Sequence, residues 1–516
     1  MLSTKGDVVV TESVASTELV SRDFIINFFK SRDLLITPNA VDKIFANNDA
    51  TSLCNKCVSN FTGFVVDENR VDDCLNGTTQ PTIEVNPGLV VRVDYKPIAK
   101  DVAARVRMRD DFDVTGKSRC TGTVEDFVGF FRDRFRRMST ILKGHISKEA
   151  PVKISALKAQ GRKQTRFIGM VYEKKPTKNG HLIIDVEDEE DSVKVLVTKD
   201  SPTMLKCDDL VVDDVVAFEG MQGEGLFIAS DVIWPGMPVS ARRNVCDEDI
   251  TLACISDIHI GSRFFMRENF EKFIGFLNGK GSPAEQAYAS KIKYITIAGD
   301  LVDGIGVYPS QEKELVTKDI YKQYEIFSDY MKQIPEYIQV FIAPGNHDAV
   351  RSALPQPRLD DSFTKDLKTY SNVHFVGNPS LHELHDVKVL LYHGNTMYSL
   401  MSAIPKLRGA NMNPEKAGVE MLRRRQLAPI YGEDPLAPEH RDYMVVEDAP
   451  DVFHFGDIHR NGYTQYHGSM IINSGCWQSM TDYQVKLGHH PTPAQLPLYN
   501  LKTGALKVVS FTEEIT

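Results

Sequence analysis

The sequence lacks the features of a membrane-spanning or secreted protein. In 516 residues, no apolar run approaches the ~20 residues that a membrane-spanning helix needs. The opening segment MLSTKGDVVVTESVAS has neither the basic start nor the apolar stretch of a signal peptide. The eight cysteines are scattered along a long chain and do not form a disulfide framework. We therefore expect a protein of the reducing cytoplasm.

An excess of positive charge is also missing. The formal net charge is −10, which disfavours a free-standing nucleic-acid binder. Carboxylates gathered around bound cations would account for part of this acidity. We expect any contact with DNA to come from local basic patches or from a partner subunit.

The chain is too long for one hydrophobic core, and its pattern separates into segments. Six short apolar runs with turn signals between them predict a small β-barrel of the OB type. After them, buried strands alternate with helices, which is typical of an α/β domain. The predicted segments are a small helical unit (1–47), a linker (48–110), a helical segment leading into the barrel (111–150), the barrel (151–240) and the α/β domain (245–516).

Five strands of the predicted α/β domain end in polar clusters. Because active sites of such sheets lie at the carboxyl ends of strands, we expect these clusters to converge. Asp, His and Asn are the mixed oxygen and imidazole ligands that suit Mn²⁺, Fe²⁺ or Zn²⁺. Alternation along a strand would point Asp257 and His259 the same way. The clusters contain Asp257, His259, Asp300, Asp303, Asn346, His347, Asp348, His393, Asp457 and His459.

This ordered set resembles the calcineurin-like metallophosphoesterase superfamily, whose pattern is DxH, GDxxD, GNHD, a lone His and GHxH. The resemblance implies an α/β phosphoesterase sandwich over 245–516 and two divalent metal ions. Its implied ligands are Asp257, His259 and His459 for one ion, Asn346 and His393 for the other, and Asp300 as a bridge. His347 would be the general acid or a phosphate contact, oriented by Asp348, and Asp303 would support the ligands from behind.

One position departs from the superfamily pattern. Asp457 stands where the first His of GHxH is expected. A carboxylate still binds a hard divalent ion, so Asp457 is a candidate metal ligand. The same substitution could also mark a degenerate site, and both interpretations stay open.

Three stretches resemble the small subunit of the archaeal D-family DNA polymerase, namely residues 112–143, 421–446 and 472–498. That resemblance implies a proofreading 3′–5′ exonuclease that favours Mn²⁺, with Mg²⁺, Fe²⁺ or Zn²⁺ as alternatives. It implies a heterodimer with a large catalytic subunit, DNA 3′ ends as substrate, contact with the sliding clamp through the holoenzyme, and a nucleoid-associated location in the cytoplasm.

Two other functions remain as alternatives. One is a non-catalytic assembly subunit of the polymerase, and the other is a stand-alone phosphodiesterase. Cys54, Cys57 and Cys74 form an incomplete zinc-binding pattern, for which thiols in a linker are the competing interpretation. For the arginine run at 132–137 the pattern favours packing of a helix face, whereas the run at 423–425 could equally contact DNA, a partner or solvent.

Overall fold

The computed structural model describes residues 21–30, 35–47, 49–58, 65–66, 71, 74–75, 95–146, 150–238, 243–409, 412–481, 484–485 and 488–512. The chain divides into two compact units, residues 1–93 and 94–516. Within the described ranges, no helix has the length and apolarity to cross a bilayer.

Among the described residues of the first unit, three short helices and a two-stranded parallel sheet have defined bounds, and residues 71, 74 and 75 are also helical. These elements are α1 (Arg22–Lys30), β1 (Leu35–Ile36), α2 (Pro38–Phe45), α3 (Ala50–Val58) and β2 (Val65–Val66). Ile25, Phe29, Ile44 and Leu53 lie in its core. Much of the predicted helical unit at 1–47 and of the predicted linker at 48–110 falls outside the described residues.

The linker interpretation was wrong for α3. Ala50, Leu53, Cys54 and Cys57 recur at helical spacing and are all buried, so the segment packs as an amphipathic helix. Cys54 and Cys57 lie on that packed face, and Cys74 packs against the same core. Zinc binding by these cysteines stays a hypothesis.

The second unit begins with a strand, β3 (Val106–Met108), and a long helix, α4 (Val124–His145). A capping box starts α4, because the Thr123 side chain accepts from the Asp126 N–H and the Asp126 side chain accepts from the Thr123 N–H. β3 also lies within the predicted linker, yet it pairs with a strand of the α/β domain. The range 95–110 is therefore part of the second unit.

Residues 164–233 form a closed five-stranded barrel, as the sequence predicted. Its strands pair in the order β4-β5-β6-β8-β7. The first of the six apolar runs, 152–159, instead forms a short helical turn that ends in α5 (Leu157–Gln160). The barrel strands are β4 (Gln164–Pro176), β5 (Leu182–Glu187), β6 (Ser192–Val197), β7 (Val215–Gln222) and β8 (Phe227–Ile233), with α6 (Thr203–Cys207) between β6 and β7.

Two six-stranded mixed sheets form the α/β domain. The first has the order β12-β11-β10-β9-β18-β19 and the second β16-β17-β15-β14-β13-β3. The first sheet contains β9 (Thr251–Ile255), β10 (Ile292–Ala298), β11 (Gln339–Ala343), β12 (Val373–Phe375), β18 (Gln495–Asn500) and β19 (Leu506–Ser510). The second contains β3 with β13 (Ser380–Leu384), β14 (Val387–Leu391), β15 (Val452–Phe455), β16 (Asn461–Tyr466) and β17 (Ser469–Ser474).

The two sheets pack face to face, with helices on both outer faces. Leu252, Tyr294 and Phe341 of the first sheet share one core with Val389 and Ile472 of the second. Alternate residues of the same strands face the helices on either side. These helices are α7 (Arg267–Leu277), α8 (Pro283–Ala289), α9 (Ile320–Met331), α10 (Asp361–Thr364), α11 (Met397–Ala403) and α12 (Glu415–Arg424). The arrangement is the predicted α/β sandwich.

The arginine run on α4 joins that helix to the α/β domain. Arg134 and Asp442 form a buried ion pair with 2.7 Å between Nε and Oδ2. Arg134 also donates to the carbonyl oxygens of Ala428 and Pro429. The prediction of a packed helix face is confirmed for this run.

The second arginine run, 423–425, is neither a solvated face nor an exposed patch. Arg424 is buried and pairs with Asp214 of the barrel at 3.0 Å. The guanidinium of Arg423 lies 3.8 Å from the ring centre of Trp234 at the end of the barrel. This run therefore ties the α/β domain to the barrel.

Candidate metal centre

The predicted site residues follow the carboxyl ends of β9, β10, β11, β14 and β15, and the structure brings them together. The explanation from strand alternation was wrong, however, because β9 ends at Ile255. Asp257 and His259 lie in the loop beyond it with φ of 51° and 54°. Their backbone N–H groups donate to the carbonyls of Gly299 and Asp300, so hydrogen bonds to the next strand end hold the loop.

A first group of donor atoms comes from Asp257, His259 and His459. Their ligand atoms all lie within 4.8 Å of one another, as a metal site requires. His459 Nε2 is 3.4 Å from Asp257 Oδ1 and 3.1 Å from His259 Nε2. These are the three residues that the superfamily resemblance implies for one ion.

A second group surrounds His393. Its Nε2 lies 2.7 Å from Asn346 Oδ1, 3.4 Å from Asp300 Oδ1 and 3.5 Å from Asp457 Oδ1. The other Asp300 oxygen, Oδ2, lies 3.7 Å from His259 Nε2 in the first group. Asp300 thus stands between the two groups, and Asp457 belongs with the second.

His347 lies at the rim, but its predicted partner is different. Its Nδ1 donates to the backbone carbonyl of Asp303 at 2.8 Å, and its Nε2 lies 4.0 Å from Asp300 Oδ2. The Asp348 carboxylate instead accepts from the Tyr324 hydroxyl and the Gly345 N–H. The prediction that Asp348 orients His347 was wrong, because the Asp348 side chain turns back into the domain.

Asp303 contacts a candidate ligand through its side chain, and two glutamines contact Asp303 in turn. Asp303 Oδ1 accepts from His259 Nδ1 at 3.0 Å and from Gln478 Nε2 at 3.2 Å. Gln311 Nε2 donates to Asp303 Oδ2 at 3.1 Å. A third glutamine, Gln484, contacts the site separately, with its Nε2 2.8 Å from Nδ1 of His459. No local sequence motif marks these three glutamines, so their contacts could not be predicted.

Two glycines allow the carboxylates to approach the backbone. A Cβ at Gly345 would collide with the Asp300 carboxylate, and one at Gly456 would collide with the carboxylate of Asp257. The Asp457 N–H can then donate to both Asp257 oxygens, at 3.0 and 3.2 Å. The glycines are therefore required by close packing of the acidic side chains.

The tautomers of His259 and His393, and the charges of the site, fit divalent cations. His259 and His393 each donate Nδ1–H outward, to Asp303 and to the Ala298 carbonyl, which leaves Nε2 facing the carboxylates. Burial alone would lower the pKa of His393, but the carboxylates, chiefly that of Asp300, raise it well above its ordinary value. Burial raises the pKa of Asp457 to about 6, and Asp257 adds to the rise. Buried carboxylates at this density attract positive charge.

A cavity of about 530 Å³ opens over the donor groups. Its size is within the range of ordinary ligand sites. Its lining includes His347, Asp457, His459, Tyr308, Tyr398 and His489. A ligand in this cavity would meet the candidate metal-binding side chains directly.

Comparison with known proteins identifies the family. A relative from Methanocaldococcus jannaschii, named DNA polymerase II small subunit, is 42% identical over 79% of this chain and 68% of its own length. The protein of the same name from Methanothermobacter thermautotrophicus is 33% identical over 95% of this chain and 99% of its own. The chain belongs to the archaeal DNA polymerase II small-subunit family. This confirms the resemblance to the D-family small subunit.

Two further matches extend the comparison of this small subunit. The family model for the B-type subunits of DNA polymerases alpha and epsilon matches residues 252–464. A solved archaeal phosphodiesterase aligns with 50% of this chain and 99% of its own at 13% identity, with a TM-score of 0.26. That TM-score is too low to identify the fold, and the family assignment depends on the sequence relatives.

Proposed function

We propose that this small subunit is a metal-dependent phosphodiesterase that removes nucleotides from DNA 3′ ends as the 3′–5′ proofreading exonuclease of its polymerase. The observation that supports this best is the convergence of Asp257, Asp300, His393 and His459 from four separate strand ends. Such a cluster of buried carboxylates and imidazoles agrees with the ligand set that the resemblance to calcineurin-like phosphoesterases implies.

The proposed site holds two divalent ions, with Mn²⁺ as the native metal. One would be held by Asp257, His259 and His459, and the other by Asn346, His393 and Asp457, with Asp300 shared. When bound, the pair supplies an activated water and offsets the negative charge that develops on the phosphate.

The chain's own residues would position the substrate and move a proton. His347 Nδ1 is occupied by the Asp303 carbonyl, so Nε2 is the nitrogen beside Asp300 and the cavity. We assign His347 Nε2 the role of donating a proton to the departing 3′ oxygen. Asp303 keeps His259 in the orientation that directs Nε2 inward.

We further propose that the five-stranded barrel is an OB-fold and that the chain functions in a heterodimer with the large catalytic subunit. The barrel closes through a parallel pairing of β6 with β8, as in OB-folds. DNA and, through the holoenzyme, the sliding clamp are the other proposed partners, and the cytoplasmic nucleoid is the proposed location.

Asp457 motivates one alternative function. If a carboxylate at this position weakens the second ion, the subunit is a catalytically inactive assembly factor for the large chain. Both functions predict a folded domain, but only the exonuclease predicts metal-dependent hydrolysis.

The test measures digestion of a 5′-labelled single-stranded oligonucleotide by the full chain with Mn²⁺. A 3′–5′ exonuclease yields a ladder of progressively shorter labelled products. The His347→Ala variant should lose roughly 10²- to 10⁴-fold in rate, because the proton donor is removed. The control His440→Ala removes an exposed histidine outside the cavity and should retain full activity.

Two outcomes would contradict the proposal. Equal digestion by wild type and His347→Ala would assign the activity to another protein in the preparation. No digestion by wild type, while elemental analysis shows bound Mn²⁺, would favour the assembly function.

A further inference from the structure

Two aromatic rings stack on each other at the mouth of the cavity. The rings of Tyr398 and His489 have centroids 5.6 Å apart and planes within 8° of parallel. Both line the cavity that contains His347 and Asp457. Metal binding and proton transfer, as proposed above, do not use this pair.

The core of the domain fixes the position of Tyr398. Met397, Leu400 and Met401 of α11 are buried in the hydrophobic core, so the helix turns Tyr398 outward. Tyr398 is 38% exposed although its neighbours in the helix are packed. Since α11 begins just after His393, the ring is held close to one of the candidate metal ligands.

His489 is held by the segment that contacts another candidate ligand. Its backbone N–H donates to the carbonyl of Gln484 at 2.9 Å, and the Gln484 side chain lies 2.8 Å from His459 Nδ1. His489 is half-buried and Tyr398 is exposed, so the accessible end of the stack is the tyrosine ring. The stack therefore extends from the site toward solvent.

We propose that the Tyr398–His489 stack is the binding surface for the base of the 3′-terminal nucleotide whose phosphodiester is hydrolysed. This inference rests on the proposed exonuclease function. A flat ring accepts any nucleobase, because every base has a π-face. The ring stands beside the cavity, so a base reaches it only after leaving its partner strand. Unpairing a base has a free-energy cost. The substrate class is thus an unpaired 3′ nucleotide of any sequence.

The test compares two oligonucleotides that differ only in the last base. One carries an ordinary 3′-terminal nucleotide, and the other carries a 3′-terminal abasic residue. The full-chain variants are Tyr398→Ala and Tyr398→Phe. The matched control is Tyr321→Ala, because Tyr321 stacks on Phe363 in a similar way, with centroids 5.2 Å apart, and does not line the cavity.

Tyr398→Ala should lower kcat/KM on the base-bearing end by roughly 5- to 150-fold, the usual loss for one base–aromatic stack. Its rate on the abasic end should match that of the wild type. Tyr398→Phe keeps the ring and should retain most activity on both ends. An equal loss on both ends would overturn the inference, as would an unchanged rate on the base-bearing end.

A binding measurement separates this inference from the proposed function. A single strand with 2-aminopurine at its 3′ terminus is titrated with each variant in Ca²⁺, and stacking quenches its fluorescence. If the wild type quenches the fluorescence and Tyr398→Ala does not, the result would support the stacking surface even if no variant hydrolyses DNA. Identical fluorescence with both proteins would overturn it.

Discussion

Asp303→Asn tests the proposed metal centre without removing a ligand. The Asp303 carboxylate accepts from His259 and Gln478 on one oxygen and from Gln311 on the other. Burial would raise the pKa of Asp303, but the hydrogen bond from His259 holds it below its ordinary value. The side chain is therefore an ionised acceptor on both oxygens. Asparagine has a single acceptor oxygen. In either orientation of its side chain, the amide N–H group would therefore face one of these hydrogen-bond donors.

The loosened His259 should bind metal less tightly. Replacing the partner of a metal-bound histidine typically lowers metal affinity about 10- to 100-fold, which corresponds to about 1.4–2.7 kcal/mol. The assay is an electron paramagnetic resonance titration of free Mn²⁺ with wild type, Asp303→Asn and the surface control Asp329→Asn. An unchanged Mn²⁺ affinity in Asp303→Asn would refute the assignment of His259 as a ligand supported by Asp303.

Three further predictions follow from particular side chains. Asp457→His should shift competitive metal binding from Mn²⁺ toward Zn²⁺, and an unchanged ratio would contradict a role as ligand. Burial, with His374, lowers the pKa of His382 to about 3. The pKa of a histidine in the unfolded chain is about 6.5. The stability contributed by neutral His382 is therefore fully present above about pH 6.5 and is lost as the pH falls toward 3. Between pH 6 and 4, the free energy of unfolding of His382→Gln should fall less steeply with decreasing pH than that of the wild type. The difference in slope, measured by denaturant unfolding, should be up to about 1.4 kcal/mol per pH unit. Arg134→Met leaves the buried Asp442 carboxylate without its charged partner and should lower the free energy of unfolding by about 3–5 kcal/mol, as denaturant unfolding measures, and an unchanged free energy of unfolding would contradict a buried ion pair.

The sandwich and the barrel could be predicted because their strands are local apolar runs bounded by turns. The errors arose where local pattern and packing disagree. Residues 152–159 contain the apolar residues of a strand, but Ile154 and Leu157 bury themselves from a helical turn. In α3 the buried positions have helical spacing, but the polar residues between them resemble a linker.

The convergence of the candidate ligands could be predicted because each motif directly follows an apolar strand. The supporting contacts could not, because they join residues far apart in sequence. Gln484 approaches His459 across 25 positions, and Gln478 approaches Asp303 across 175. The partner of His347 also depends on how the loop after β10 folds, which places the Asp303 carbonyl beside Nδ1.

The backbone of the site gives a further reason to assign it a chemical role. Five of its candidate ligands lie in the left-handed region, with φ between 51° and 68°: Asp257, His259, Asp300, Asp457 and His459. For a side chain other than glycine, this conformation costs on the order of 1 kcal/mol or more at each position. Glycine would relieve the strain at every one of them, so the turns alone do not explain carboxylates and imidazoles there. We infer that these side chains serve binding, because the backbone conformation by itself would favour glycine at each position.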